Sequence, residues 1–396
     1  MIPSYLKHFP QQSVIARPAM AGRGNLTPPS SSRMRGSIWD NNTMNISDFH
    51  FELPEELIGQ QAIEPRDSCR LLVVNRSNQS LNHHIFRDLV DLLDDQCVLV
   101  LNDTKVFPAR LFGTKETGGK IEILLLKQTS LDTFECIARG KLQVNQRLVF
   151  GPSLTCTIQS KEVTGEIHIR FNFSGLDLIA KIDELGKTPL PPYIHSDSKE
   201  AELREQYQTV YAREKGSAAA PTAGLHFTPE LLNSLQERGV QIEKLTLHVG
   251  LGTFKPVTEE QVANKILHSE SFTLSSDVAD RLNIAKKSGK KIIAVGTTSC
   301  RVLETLFDES GNLSGGAGET HIFFQPGYRF KFIDGMITNF HLPSTSLLML
   351  VSALVSFPNS PIHFTNFYDS LMGQAYAEAI KSKYKFFSFG DSMLIV

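Results

Sequence analysis

The sequence predicts an α/β protein: a mixed, largely parallel sheet with flanking helices, interrupted by an inserted small six-stranded β-barrel domain. Three observations carry this expectation. Helical and strand patterns alternate on both sides of residues 105–173, as they do where crossover helices join parallel strands. Within that block lie short segments rich in Ile, Val, Leu, Phe and Thr, split by Gly, Pro or polar turns, with no helical stretch. The chain of 396 residues, 41% hydrophobic and 21% charged, has the composition of a globular protein and the length for two or three cores.

Residues 1–43 are expected to be a disordered leader outside the folded body. They carry Lys7, Arg17, Arg23, Arg33 and Arg35 against Asp40, with Ser and Pro clusters and no sustained periodicity. An Arg- and Ser-bearing, acid-poor start is also a transit-peptide pattern; we favour a leader, with Met44 starting the functional unit. The whole chain has a formal charge of −2, so the body after this leader is the more acidic part, and any nucleic-acid contact needs a local basic patch.

Residues 44–104 and 174–396 are expected to form one discontinuous α/β domain around the barrel at 105–173. Residues 54–63 read as a short helix, 70–76 as a strand, and 83–94 as a helix with Ile85, Leu89, Leu92 and Leu93 on one side. Cys97 to Asn102 is a short apolar run expected to be a buried strand. The six barrel strands are placed at 109–115, 120–127, 133–139, 146–150, 154–161 and 166–173; closure hides their edges. Thr228 is expected to cap a helix with Pro229 at its first position and Gly239 beyond its end. Strands follow at 241–249, 291–298 and 336–342, and helices at 276–288, 299–308 and 344–357. The glycine-rich stretch 311–318 reads as flexible. The cluster Lys286, Lys287, Lys290 and Lys291 reads as a solvated face, with RNA contact the less favoured alternative.

Ligands collect at the carboxyl ends of strands in such sheets. Two segments at the ends of what read as successive elements stand out: Ala220-Pro221-Thr222-Ala223-Gly224-Leu225-His226-Phe227 and Leu247-His248-Val249-Gly250-Leu251-Gly252-Thr253-Phe254. Each brings an imidazole, a hydroxyl, small residues and a phenylalanine to a turn, and together they read as two walls of one pocket. Gly296-Thr297-Thr298-Ser299 at a strand-to-helix junction forms an anion cradle, with Arg301 one turn on, or else Thr298 or Ser299 merely caps the helix. Asn339-Phe340-His341 repeats the setting on another strand; His341 reads as an acid or base, or as a hydrogen-bonded scaffold residue. Asn102, Asp103, Lys105 and Arg110 lie at the domain junction, where Asp103 with Lys105 or Arg110 also fits a structural ion pair.

No GxGxxG after a strand, GxxxxGK[ST], HExxH or GxSxG is present, so nicotinamide, P-loop, zincin and serine-hydrolase readings lose their simplest support. The five cysteines, 69, 97, 136, 156 and 300, show no CxxC spacing, which fits a reducing compartment and a cytoplasmic location. The longest apolar run, 347–357, falls short of the roughly 18 residues a membrane span needs.

With these segments assembled, the chain resembles the S-adenosylmethionine:tRNA ribosyltransferase-isomerase family of queuosine biosynthesis. The resemblance rests on eleven segments in order, among them Phe51-Glu52-Leu53-Pro54, 66–71, 102–110, Pro189-Leu190-Pro191-Pro192-Tyr193-Ile194, Tyr207-Gln208-Thr209-Val210-Tyr211, 220–227, 246–257, 338–343 and 386–391. It implies transfer and isomerisation of the ribosyl part of S-adenosylmethionine onto 7-aminomethyl-7-deazaguanine at the wobble position of tRNA. The products are epoxyqueuosine-tRNA, adenine and methionine, and no cofactor or metal is needed beyond S-adenosylmethionine as co-substrate. A monomer is expected. On residue type and location, His226 and His248 are expected to share the acid–base work, with His341 assisting. Thr222, Thr253 and Asn339 would hold ribose hydroxyls, Phe227 or Phe254 would stack on adenine, and Gly296–Ser299 with Arg301 would hold the methionine carboxylate. Gly224, Gly250 and Gly252 are expected to let the ligand approach the backbone. A methyltransferase and a non-catalytic RNA-binding protein are the rival classes.

Overall fold

The computed structural model describes residues 44–162, 165–250 and 258–396. The leader at 1–43 and the expectations on Gly252, Thr253 and Phe254 lie outside the described residues. In chain order, β1 (Arg70–Val74) and β2 (Leu81–Ile85) form a hairpin, followed by α1 (Leu89–Leu92), β3 (Cys97–Asn102) and β4 (Thr104–Val106). Next come β5 (Arg110–Lys115), β6 (Lys120–Gln128), β7 (Thr133–Arg139), β8 (Arg147–Phe150), β9 (Leu154–Lys161) and β10 (Ile167–Phe171). The remainder is α2 (Gly175–Leu185), α3 (Glu200–Gln206), β11 (Glu214–Ser217), α4 (Pro229–Glu237), β12 (Gln241–Leu247), α5 (Glu259–Asn264), β13 (Ile266–Leu274) and α6 (Ser276–Lys287). It ends with β14 (Lys291–Val295), α7 (Gly296–Leu306), β15 (Gly316–Ile322), β16 (Gly335–Asn339), α8 (Ser346–Leu354), α9 (Leu371–Lys381) and β17 (Ser392–Ile395).

Strands β5 to β10 close into an antiparallel six-stranded barrel in the order β10-β7-β6-β5-β8-β9. Inward residues such as Leu111, Ile123, Leu125, Cys136, Leu148, Ile158 and Ile169 fill it, and Leu178 and Ile182 of α2 pack on the same core. The alternation of Ile167-His168-Ile169-Arg170-Phe171 becomes a buried–intermediate–buried–exposed–buried strand.

The other strands except β4 and β11 make a nine-stranded mixed sheet, β15-β13-β12-β3-β14-β16-β17-β1-β2. Its centre, β12-β3-β14-β16, is parallel throughout; its flanks are mostly antiparallel, with β1–β17 the parallel exception. Parallel strands need cover on both faces, and β3 is buried along its whole length. The four parallel strands bring Leu247, Asn102, Val295 and Asn339 to one edge. That edge is where the site is built. The small parallel pair β4–β11 links it to the barrel, with the Phe107 amide donating to the Ser217 carbonyl.

Four local expectations need correction. Residues 54–63 hold only a 3-10 turn at Glu55–Leu57. The stretch 83–94 begins as β2, whose side chains are mostly open to solvent, and turns helical only at Phe86. Part of the glycine-rich stretch is edge strand β15, ordered by pairing with β13. Helix α7 starts at Gly296 and not at Ser299, because Gly296 takes φ +87° and turns β14 straight into the helix.

Candidate active site

A cleft opens at the carboxyl ends of β14 and β16, between the first turn of α7, the 220–223 turn and Phe387–Ser388. Its polar lining is Tyr193, Thr222, Thr297, Thr298, Thr338, Asn339, His341, Thr345 and Ser388, its apolar lining chiefly Ala220, Val249, Phe340 and Leu342. No Asp, Glu, Lys or Arg lines it among the described residues. The main fixed charge is therefore the positive end of α7, whose N-cap residue Val295 contributes no side-chain hydrogen bond. Ser299 Oγ turns away to donate to the Val295 carbonyl at 2.9 Å, so it does not cap the free N–H groups.

Thr222, Thr297, Thr298, Asn339 and His341 thus meet in one cleft. His341 is buried, its Nε2 2.9 Å from Thr338 Oγ1, and its backbone N–H donates to the Tyr376 hydroxyl at 2.8 Å. Burial pushes its pKa down to about 3, so the imidazole is neutral at pH 7.

The other two imidazoles stand outside that lining. His226 lies beneath the 220–223 turn, its Nε2 accepting from Asn339 Nδ2 at 3.0 Å and its Nδ1 3.2 Å from Cys69 Sγ. Burial drives its pKa to about 4. His248 is half-buried beyond the end of β12, its Nδ1 2.8 Å from Thr104 Oγ1 and its ring directly over Gly216. Desolvation lowers its pKa, opposed by Glu214 and Asp103. The neighbouring Val249 lines the cleft, so alternation along the extended segment turns His248 to the opposite side.

Several candidates are held by the protein itself. Arg301 is buried in an ion pair with Glu270, whose other oxygen accepts from the Gly250 amide at 3.1 Å. Its guanidinium thus already has a buried protein partner, and the same carboxylate holds the Gly250 backbone. Phe227 is fully buried, edge-on to Phe86 and Tyr211, with no face left for a base. Gly224 is small for the sake of Tyr211: a Cβ there would overlap the tyrosine hydroxyl.

Asn102 stitches the sheet edge, donating to the Leu247 carbonyl at 3.0 Å and Thr298 Oγ1 at 3.2 Å and accepting from the Leu247 amide. Asp103 pairs with Arg213 at 3.3 Å and accepts from Thr246 Oγ1 at 2.6 Å; its partner is neither Lys105 nor Arg110. Arg110 bonds Glu122 at 3.1 Å and the Leu190 carbonyl at 2.6 Å. Lys105 lines a second, larger cleft at the seam with the barrel, together with Arg66, Arg204, Lys215, Tyr207 and Thr209.

Residue chemistry alone does not mark Cys69, Ser388 or Tyr193, whose hydroxyl is 2.7 Å from Ser388 Oγ. All three fall inside segments that carry the family resemblance, which is the signal available for them.

A family model described as queuosine biosynthesis protein matches residues 46–395. An S-adenosylmethionine:tRNA ribosyltransferase-isomerase from Symbiobacterium thermophilum is 48% identical over 357 residues, 89% of this chain and 100% of that protein. A protein of the same name from Clostridioides difficile is 48% identical over 356 residues, again 89% of this chain and all of that one. A crystal structure of an S-adenosylmethionine tRNA ribosyltransferase from Thermotoga maritima is 32% identical and covers 88% of this chain and 100% of that chain, with a TM-score of 0.49. With the match spanning both barrel and sheet, the chain belongs to the queuosine biosynthesis protein family.

Proposed function

We propose that this chain is an S-adenosylmethionine:tRNA ribosyltransferase-isomerase. It transfers and isomerises the ribosyl part of S-adenosylmethionine onto 7-aminomethyl-7-deazaguanine in the anticodon of tRNA, releasing adenine and methionine. The observation that carries this reading is 48% identity to relatives of that name over their whole length. The geometry supports it. An uncharged, hydroxyl-lined cleft suits a ribose, and the bare N-terminus of α7 at its wall suits a carboxylate.

The sulfonium acts as the electron sink, which acidifies the adjacent 5′ carbon and makes methionine a leaving group, so no metal or further cofactor is required. One proton must leave C5′, one must reach departing adenine, and the incoming amine must lose one. His341 is the imidazole lining the cleft, and its ring is proposed to handle one of these protons, although burial makes it a weak base before substrate binds. His248, on the seam side beside Thr104 and near Glu214, is proposed to take the proton of the amine. Thr222 and Asn339 hold the ribose hydroxyls.

The seam cleft carries Arg66, Lys105, Arg204 and Lys215 against Asp183 and Glu205, with Lys215 paired to Asp183 and Arg204 to Glu200, and this net positive lining is the local patch proposed to hold an anticodon strand. A wobble base lies in a single-stranded loop, so it reaches such a cleft without duplex opening. The enzyme works as a monomer in the cytoplasm.

Chromatography of the small products tests the reaction. Incubation with S-adenosylmethionine and the modified tRNA should yield adenine and methionine. S-adenosylhomocysteine would mark a methyltransferase instead, and unconsumed S-adenosylmethionine with bound tRNA a binding protein.

A further inference from the structure

The buried chain Cys69–His226–Asn339 has one loose end. Asn339 Nδ2 donates to His226 Nε2 and to the Phe387 carbonyl, each at 3.0 Å, so both amide protons are used. Asn339 Oδ1 is left buried with no hydrogen-bond partner, on a residue 3% exposed that lines the cleft. An orphaned carbonyl oxygen in such a place is costly unless a donor meets it in the working state.

Which atom of the amide is left over depends on His226. Because Nε2 accepts from Asn339, the single proton of the neutral ring sits on Nδ1, facing Cys69 Sγ at 3.2 Å. Burial holds the Cys69 thiol protonated and the imidazole neutral, so nothing at pH 7 reverses that polarity. A ring with both nitrogens engaged by the protein has none left for substrate.

We infer that His226 is a positioning residue: held at Nδ1 by Cys69, it fixes the Asn339 amide so that Oδ1 meets a ribose hydroxyl of the donor substrate. This rests on reading the cleft as the ribosyl site of S-adenosylmethionine. An uncharged lining favours a neutral donor, and a hydroxyl is the neutral donor that a ribose carries.

The test measures dissociation constants of S-adenosylhomocysteine and its 2′-deoxy and 3′-deoxy analogues by titration calorimetry, with the modified tRNA present. For wild type, loss of the partner hydroxyl should weaken binding by about 3- to 10-fold. In Asn339→Ala, loss of that hydroxyl should cost nothing further. His226→Gln keeps an acceptor for the Asn339 amide and should retain both the hydroxyl discrimination and kcat within about tenfold, since no proton transfer is lost. His226→Leu should lose the discrimination. Equal hydroxyl penalties in wild type and Asn339→Ala overturn the assignment. So does a fall in kcat of about a hundredfold or more in His226→Gln with hydroxyl discrimination intact, which would make His226 a proton-transfer group. If His226→Leu does not fold, His226→Gln alone still decides between these outcomes. Wild type that releases no adenine overturns the underlying reading of the reaction. Wild type that does, with no hydroxyl coupling, overturns only the role given to Asn339 and His226.

Discussion

Mild acid should destabilise the fold well above the carboxylate range, and two buried histidines set the size of the effect. Burial lowers the pKa of His226 from 6.5 to about 4 and that of His341 from 6.5 to about 3. A depressed folded-state pKa means that the unfolded chain binds the proton first. The stability is therefore present above pH 6.5 and is lost as the pH falls toward the folded values. Between pH 7.5 and 5.5 each ring should cost about 1.4 kcal/mol, so the two together cost about 3 kcal/mol, a large share of a typical 5–15 kcal/mol. His248 is shifted in the same direction and adds to the loss. Asp391, raised by burial, works against it at lower pH, so the deciding quantity is a difference between proteins. Urea denaturation followed by far-UV circular dichroism at pH 7.5, 6.5 and 5.5 measures it. His226→Gln should roughly halve the part of the slope due to the two rings. A wild-type stability that is flat over this window, or a variant with the wild-type slope, would refute the reasoning.

Other expectations follow from single contacts. Arg301→Met leaves Glu270 buried without its cation and should cost about 3–5 kcal/mol by thermal or chemical unfolding, while Glu270→Leu in the same protein should restore most of it. If Arg301→Met instead kept its stability and lost affinity for S-adenosylmethionine, Arg301 would be a substrate ligand. Gly224→Ala should destabilise by about 1–3 kcal/mol, because the new methyl group meets the Tyr211 hydroxyl; Tyr211→Phe should relieve part of the strain in a double-mutant cycle. Glu304→Ala should cost about 3 kcal/mol and speed hydrogen exchange at Lys331, Phe332 and Ile333, whose amides the carboxylate now accepts. Lys105→Ala should weaken tRNA binding and lower the slope of log affinity against log salt by about one, with affinity for S-adenosylmethionine unchanged.

Where local pattern and tertiary environment agree, the fold could be read from the sequence. β3, β7 and β9 run over the residues that their apolar alternation or continuity marks, and Thr228 caps α4 through its hydroxyl to the Leu231 amide. The failures have a common physical cause. Strand β15, Gly-Ala-Gly-Glu-Thr-His-Ile, has little β propensity and is a strand because β13 supplies its partner groups. Strand β2 has an exposed His83 and no buried face, and exists as the edge that covers β1. The cleft follows the same rule. Glycine and hydroxyl residues at the ends of β14 and β16 mark a candidate ligand edge in the sequence, and Thr297, Thr298, Asn339 and His341 do line one cleft there. Which residues are already partnered could not: Arg301 meets Glu270 across 31 positions, and His226 meets Asn339 across 113. Residue type made both look available for substrate. Only three-dimensional pairing shows that they are engaged.

A crystal structure of the enzyme with S-adenosylmethionine bound is the most direct measurement of where the donor sits. The expected density places the ribose against Thr222 and Asn339, with the methionine carboxylate at the amides of Gly296 and Thr297. Density for the whole molecule in the seam cleft beside Lys105 and Arg204, with the strand-end cleft empty, would contradict this placement.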